Sequence, residues 1–415
     1  MGLFNRKPKP VENIEVSVYR PKLRFAIVLG FLLIGFIALG IGLFGLLNKN
    51  NGWTAIEMTE KHPEIESELI FNYNLGKSGV KATAEYKSIS ALYQAEATKA
   101  YRIFHATEEF DGVNNLSTLS SNINKAFEVD PLLYNALKML EEEGSRLIYL
   151  APLYSEHESL CISEQDSFAE LHDPALNKEA AEYSLEILRY AMNPDMITLE
   201  LLEGNRVRLR VAKVYQDFAE ENEITSFVDL YWLKNAFVVD AIADAMISNG
   251  YTNGNITSFD GFTRNFDNSG EEYSMNVFNC RERLIYPAGA VKYKGASAFV
   301  AFRNYPMSDR DGFRYYTYSN GNIVNPYINT ANGFSNTNNS ELLVASKTKG
   351  CAETALKAFE CFVSEELGAD ALKDLLAEDI ASVWCEETTV VYNSEEFPIG
   401  ATFSEGGVAY SSKKA

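Results

Sequence analysis

The sequence predicts an α+β domain with a mixed, mostly antiparallel sheet and flanking helices, placed behind one N-terminal transmembrane helix. Three observations lead there. Residues 25–47, FAIVLGFLLIGFIALGIGLFGLL, form an apolar run without a charge. Beyond it, segments with helical spacing alternate with segments of strand character. The composition, 46% hydrophobic and 23% charged over 415 residues, is that of a globular chain and excludes collagen, coiled coil and wholesale disorder.

The apolar run comes first. As a helix, its 23 residues reach about 34 Å, enough for a bilayer core. A cleaved signal peptide has a shorter apolar region, about 7–15 residues, and no small-x-small site follows; the chain continues Asn48-Lys49-Asn50-Asn51. Residues 1–24 carry Arg6, Lys7, Lys9, Arg20, Lys22 and Arg24 against Glu12 and Glu15. The positive-inside rule therefore places residues 1–24 in the cytoplasm, 25–47 in the membrane and the rest outside the cell. Taking those six basic and two acidic residues from the totals of 37 and 57 leaves residues 48–415 at a net charge of −24. Such a domain repels anionic headgroups, and it lacks the clustered basic charge of a nucleic-acid surface.

Residues 48–65 read as a polar stalk and 66–394 as the main domain. Within it, Asp130-Pro131 is a helix start, with Asp as N-cap and Pro in the first turn. Leu133, Ala136, Leu137 and Leu140 follow at helical spacing up to Gly144. Residues 178–192 form a second amphipathic helix. Arg206 to Val211 alternate basic and apolar, a half-buried strand, and Ser226–Leu230 reads as a short apolar strand. Residues 235–248 carry a helical stripe closed by Asn249-Gly250. Residues 285–345, rich in Tyr, Phe, Gly and Asn, have strand and turn character. Residues 348–375 read as one helix and the Gly- and Ser-rich 395–415 as a flexible tail. The five cysteines are too sparse for a disulfide framework and form no CxxC pair. Cys351 and Cys361, ten apart on one helix, lie about 15 Å apart and cannot pair. HExxH, GxSxG and GxxxxGK[ST] are absent.

The segment Asp229-Leu-Tyr-Trp-Leu-Lys-Asn-Ala-Phe-Val-Val-Asp240 resembles the DLGGIAKGYAVD signature of the FAD:protein FMN transferases, the thiamine-biosynthesis-lipoprotein-like proteins. Asp229, Leu230, Val239 and Asp240 are identical, and Phe237 stands where the family has Tyr. Three more segments follow in family order. Leu116 to Asn124 with Glu128 to Pro131 is similar to SELSRLN…VEVSPEL. Arg314-Tyr-Tyr316 to Asn322-Ile-Val-Asn-Pro326 is similar to RYxHIIDPRTG. Glu353-Thr-Ala-Leu356 occupies the place of the ADALSTAL helix. The resemblance covers roughly residues 66–385. It implies an extracytoplasmic enzyme that cleaves FAD and transfers FMN to a Thr or Ser hydroxyl of a partner protein. That chemistry calls for Mg²⁺ on oxygen ligands and close backbone approach to phosphate.

Set against that implication, the chain lacks most of the chemical groups. The metal-binding Asp four residues before Thr354 is Gly350. The His and Asp of HIIDP are Asn322 and Asn325, which carry no charge for a metal. The Gly-Gly and Lys of the signature are Tyr231-Trp232 and Asn235, and the family's later Gly-Gly turn is Phe259-Asp260. Asp229, Asp240 and Tyr305 remain as flavin-side candidates and Thr354 as a metal-side candidate. Each has a plainer alternative: Asp229 and Asp240 as solvent-facing helix caps, Thr354 bonded to its own helix backbone, and Tyr231-Trp232 as core filling in place of a ligand platform. Ile399-Gly400-Ala401-Thr402 resembles a flavin-acceptor S/T-G-A-T sequence from its second residue, which makes Thr402 a candidate acceptor.

Three functions follow. The first is a catalytically degenerate FMN-transferase-like binding or scaffold module beside an extracytoplasmic flavoprotein or electron-transfer partner. The second is an active transferase using FAD and Mg²⁺. The third is an extracellular solute-binding protein, whose late helix resembles Ser346 to Glu366.

Overall fold

The computed structural model describes residues 49–58, 68–335 and 339–415. The expected cytoplasmic and membrane segments lie outside the described residues, as does much of the stalk. Among the described residues no helix is long and apolar enough to cross a bilayer.

The frame is a nine-stranded sheet whose strands lie side by side in chain order. They are β1 (Gly52–Ala55), β2 (Leu69–Leu75), β3 (Gly254–Ser258), β4 (Phe262–Asn265), β5 (Ser297–Arg303), β6 (Glu341–Ser346), β7 (Ala381–Glu386), β8 (Thr389–Tyr392) and β9 (Ser411–Lys414). Neighbours pair antiparallel up to β8, and β9 joins β8 in parallel. The central strands are continuously apolar because both faces are covered. Val300, Phe302, Leu342 and Val344 enter the core shared with the helices. Phe299, Ala301, Leu343 and Ala345 face a second core under a three-stranded sheet of residues 272–281, 284–294 and 399–402. The helix face carries α1 (Ala82–Ile103), α2 (Ala151–Cys161), α3 (Lys234–Ser248), α4 (Cys351–Val363) and α5 (Ala369–Ala377). A small sheet of residues 126–128, 206–211 and 197–202 completes the α+β architecture.

Several expected elements form as read. The helix Pro131–Glu142 starts with the Asp130 carboxylate accepting the Leu132 amide at 2.8 Å. The helices Lys178–Ala191 and Lys234–Ser248 and the strand Arg206–Val211 are present. All five cysteines are free thiols.

Other expectations are corrected. Ser226–Leu230 joins no sheet: its Phe227 amide donates to Ser120 Oγ and its Asp229 amide to the Ile148 carbonyl, so separate elements satisfy its backbone. The helix read over 348–375 is two, broken at 364–368, where Ser364 turns extended and its hydroxyl bonds the Cys361 carbonyl. The tail 395–415 is ordered, since residues 399–402 and 411–414 are paired strands. The stalk reading fails at Gly52–Ala55, which pairs with β2. Helix α1 escaped the reading because its buried stripe is Ala, Ser, Ile, Tyr and Glu85 rather than Leu.

Candidate functional site

Two of the segments that carry the resemblance, at Asp229–Asn235 and at Arg314, meet on one cleft of about 520 Å³. Its walls are the residues just past α1 (Phe104 to Thr107), the stretch from Asp229 to Asn235, the β3–β4 turn at Phe259-Asp260, and Arg310 to Arg314. Glu68 and Glu158 of α2 complete it.

The lower wall is fixed by local chemistry. The Asp229 carboxylate accepts the Tyr231 amide at 2.8 Å and pins a single 3₁₀ turn that leads into α3. Tyr231 sits at φ +45°, the left-handed region that favours glycine. A tyrosine thus occupies a glycine-type backbone conformation where the family signature has Gly. Its ring stacks on Tyr154 (centroids 4.7 Å apart), and its hydroxyl lies 2.8 Å from His157 Nδ1. Burial holds His157 neutral by depressing its pKa to about 4. Trp232 turns the other way, into the core, stacked on Phe359 at 5.0 Å and edge-on to Phe302 and Tyr327. Of the two alternatives for this pair, Trp232 is core filling, while Tyr231 lines the cleft. The β3–β4 turn depends on Gly261: at φ +107°, a Cβ there would lie 2.6 Å from the Ala301 carbonyl oxygen.

Charge inside the cleft is partly paired by the chain itself. Asp260 Oδ2 accepts Asn235 Nδ2 at 2.9 Å and pairs with the Arg314 guanidinium. Its Oδ1 is buried without a hydrogen-bond partner among the described residues. Burial would raise the Glu68 pKa, but Lys234 and Arg314, with the Asn235 hydrogen bond, bring it below the usual carboxylate value. For Asp229 burial wins over the same two cations, and for Glu158 burial and the Asp229 charge act together, so both are raised. Burial, then Lys234, lowers His105. Arg310 lies over the Phe259 ring at 4.2 Å. A pyrophosphate entering here meets Glu68, Glu158, Asp229, Asp260 and Asp311, together with an Arg314 already paired with Asp260 and a Lys234 that already acts on Glu68.

The other sequence candidates lie elsewhere. Asp240, on the second turn of α3, caps a different helix from its own: Oδ1 accepts the Cys351 amide at 2.8 Å and Oδ2 the Ala352 amide at 2.9 Å, at the start of α4. Arg264 of β4 pairs with it at 2.7 Å. The carboxylate is 14% exposed, so it is a cap turned inward rather than toward solvent. Thr354 is fully buried, and its Oγ1 has no hydrogen-bond partner among the described residues, so the expected bond to its own backbone does not form. Tyr305 is buried and donates to Glu341 Oε2 at 2.6 Å. Asn325 is buried and accepts the Tyr327 amide at 2.9 Å in its own turn. Asn322 is exposed in the hairpin between residues 316–317 and 323–324. Of the sequence candidates, Asp229 and Asn235 reach the cleft. Sequence reasoning missed Glu68, Glu158, His105 and Arg310, which carry no local pattern; Lys234 and Arg314 were inside the matched segments and signalled by them.

The position that corresponds to the family's metal Asp offers Mg²⁺ no carboxylate here. Among the described residues no three His, Cys, Asp or Glu side chains are placed to hold a metal ion. Gly350 offers no carboxylate, and a Cβ there would lie 2.5 Å from Asp240 Oδ2.

The described domain has the flavin-transferase fold. Two solved structures show it: the flavin transferase ApbE from Vibrio cholerae (13% identity, TM-score 0.54, covering 85% of this chain and 98% of that one) and the ApbE protein from Thermotoga maritima (12% identity, TM-score 0.51, covering 80% and 93%). No protein-family profile and no curated protein matches the sequence.

Proposed function

We propose that this chain is a membrane-anchored, extracytoplasmic FMN-transferase-like protein that no longer transfers FMN and acts as a binding or scaffold module. Residues 25–47 supply the anchor, and an extracytoplasmic flavoprotein or electron-transfer protein is the partner. The observation that carries the reading is the Tyr231-Trp232 pair. The fold and the glycine-type backbone at 231 persist, while two large rings occupy the place of the Gly-Gly pair, where backbone would approach a flavin or phosphate. The missing metal carboxylate at Gly350 agrees with it. The test incubates the full-length chain with FAD, Mg²⁺ and a Thr-containing acceptor protein. The expected result is no FMN-linked product, by mass or in-gel flavin fluorescence. Product formation restores the active-transferase reading, with FAD and Mg²⁺ as its cofactors.

A further inference from the structure

We infer that no divalent cation seats at the start of α4: Asp240 is the anion that faces the helix amides and Arg264 the cation that faces Asp240. The inference deepens the reading above and rests on it.

The first amides of a helix have no partner inside it, and together with the helix dipole they attract an anion. At α4 the N-cap is Gly350, whose side chain can offer nothing. The need is met from α3, where Asp240 presents one oxygen to the Cys351 amide and the other to the Ala352 amide. A carboxylate this enclosed needs a counter-charge. Arg264, itself only 16% exposed, gives one guanidinium nitrogen to Asp240 at 2.7 Å and the other to Asp244 at 3.1 Å. Burial opposes the charged guanidinium, but the Asp240 and Asp244 carboxylates outweigh it and keep it protonated.

The charges here are therefore already paired, beside a cavity of about 410 Å³. A metal ion would have to expel Arg264 and pull Asp240 from two amides. A carboxylate returned to position 350 would start from a Cβ already 2.5 Å from Asp240 Oδ2. One turn further, Thr354 is sealed in the core and presents no open ligand. Position 350, without a carboxylate, thus sits beside an Asp240 and an Arg264 that already satisfy each other and the helix amides.

The experiment titrates the full-length protein with Mn²⁺, with and without FAD, and follows the free ion by EPR. Wild type is expected to show no saturable Mn²⁺ site. Gly350→Asp is expected to show none either, with a lower melting temperature. A saturable site in either protein overturns the inference. Where Gly350→Asp does not fold, Arg264→Gln decides: a lowered melting temperature supports the internal cation, and an unchanged one overturns it. Mn²⁺ binding without FMN transfer sinks this inference and leaves the proposed function standing. FMN transfer without Mn²⁺ binding does the reverse.

Discussion

Helix α3 faces two regions that satisfy their charged groups in opposite ways. Its first turn, Lys234 and Asn235, borders the cleft, which is still open and lined with charge. Six residues on, about 9 Å along the axis, Asp240 belongs to a region in which carboxylate, guanidinium and helix amides satisfy one another. The difference shows that charged groups can be satisfied unevenly along one helix. A helix end with unpaired amides is costly to leave unsatisfied and recruits the nearest anion. A cleft wall that water can reach bears no such pressure.

The largest expected effect is in the core behind the cleft. Trp232→Ala removes a buried ring stacked on Phe359 and is expected to cost about 4 kcal/mol in chemical denaturation. A loss below about 1 kcal/mol would mean that the surrounding core collapses freely into the space left by the ring. Asp240→Ala uncaps α4 and leaves Arg264 with Asp244 as its remaining partner, for an expected loss of about 3 kcal/mol. A smaller loss than at an ordinary helix cap would break the contrast between the two regions.

The acid limb of stability sharpens it further. His157, behind Tyr231, has a folded pKa of about 4, below the usual value of 6.5. Its neutral form supports the fold fully above the unfolded value, and that support is lost as pH falls from about 6.5 toward about 4. The shift corresponds to about 3 kcal/mol. His157→Gln should flatten this part of a pH–stability profile measured by urea denaturation, and an unchanged profile would place the proton elsewhere. Gly261→Ala, forced into a left-handed φ against the Ala301 carbonyl, should cost about 2 kcal/mol. The smallest change expected is Asp130→Ala, about 1 kcal/mol for the loss of one helix cap.

The fold was legible in the sequence wherever a local rule was strong. Asp130-Pro131 announced a helix, and the alternation in Arg206–Val211 announced a strand with Val207, Leu209 and Val211 buried. Ser226–Leu230 misled because an apolar run in a buried loop looks the same as one in a strand. Residues 399–402 and 411–414 misled because an edge strand can be small and polar when its partner strand supplies the buried side. The cleft was half legible. Asp229, Asn235 and Arg314 sat in recognisable segments, but Glu158 and His105 arrive from helices whose sequence says nothing about the cleft. The Asp240 cap could not be read at all, because it joins residues 111 positions apart.

The path of the chain through the main sheet has a kinetic consequence. β2 and β3 are neighbours in space, yet the chain leaves at Leu75 and returns only at Gly254. Every other adjacent pair is joined by a shorter excursion. Closing so long a loop delays that pairing, so β3 waits with an unpaired edge while the helical layer assembles. Refolding should therefore show a slow phase in which the β1–β2 ribbon joins last, and aggregation during refolding should nucleate on Gly254–Ser258.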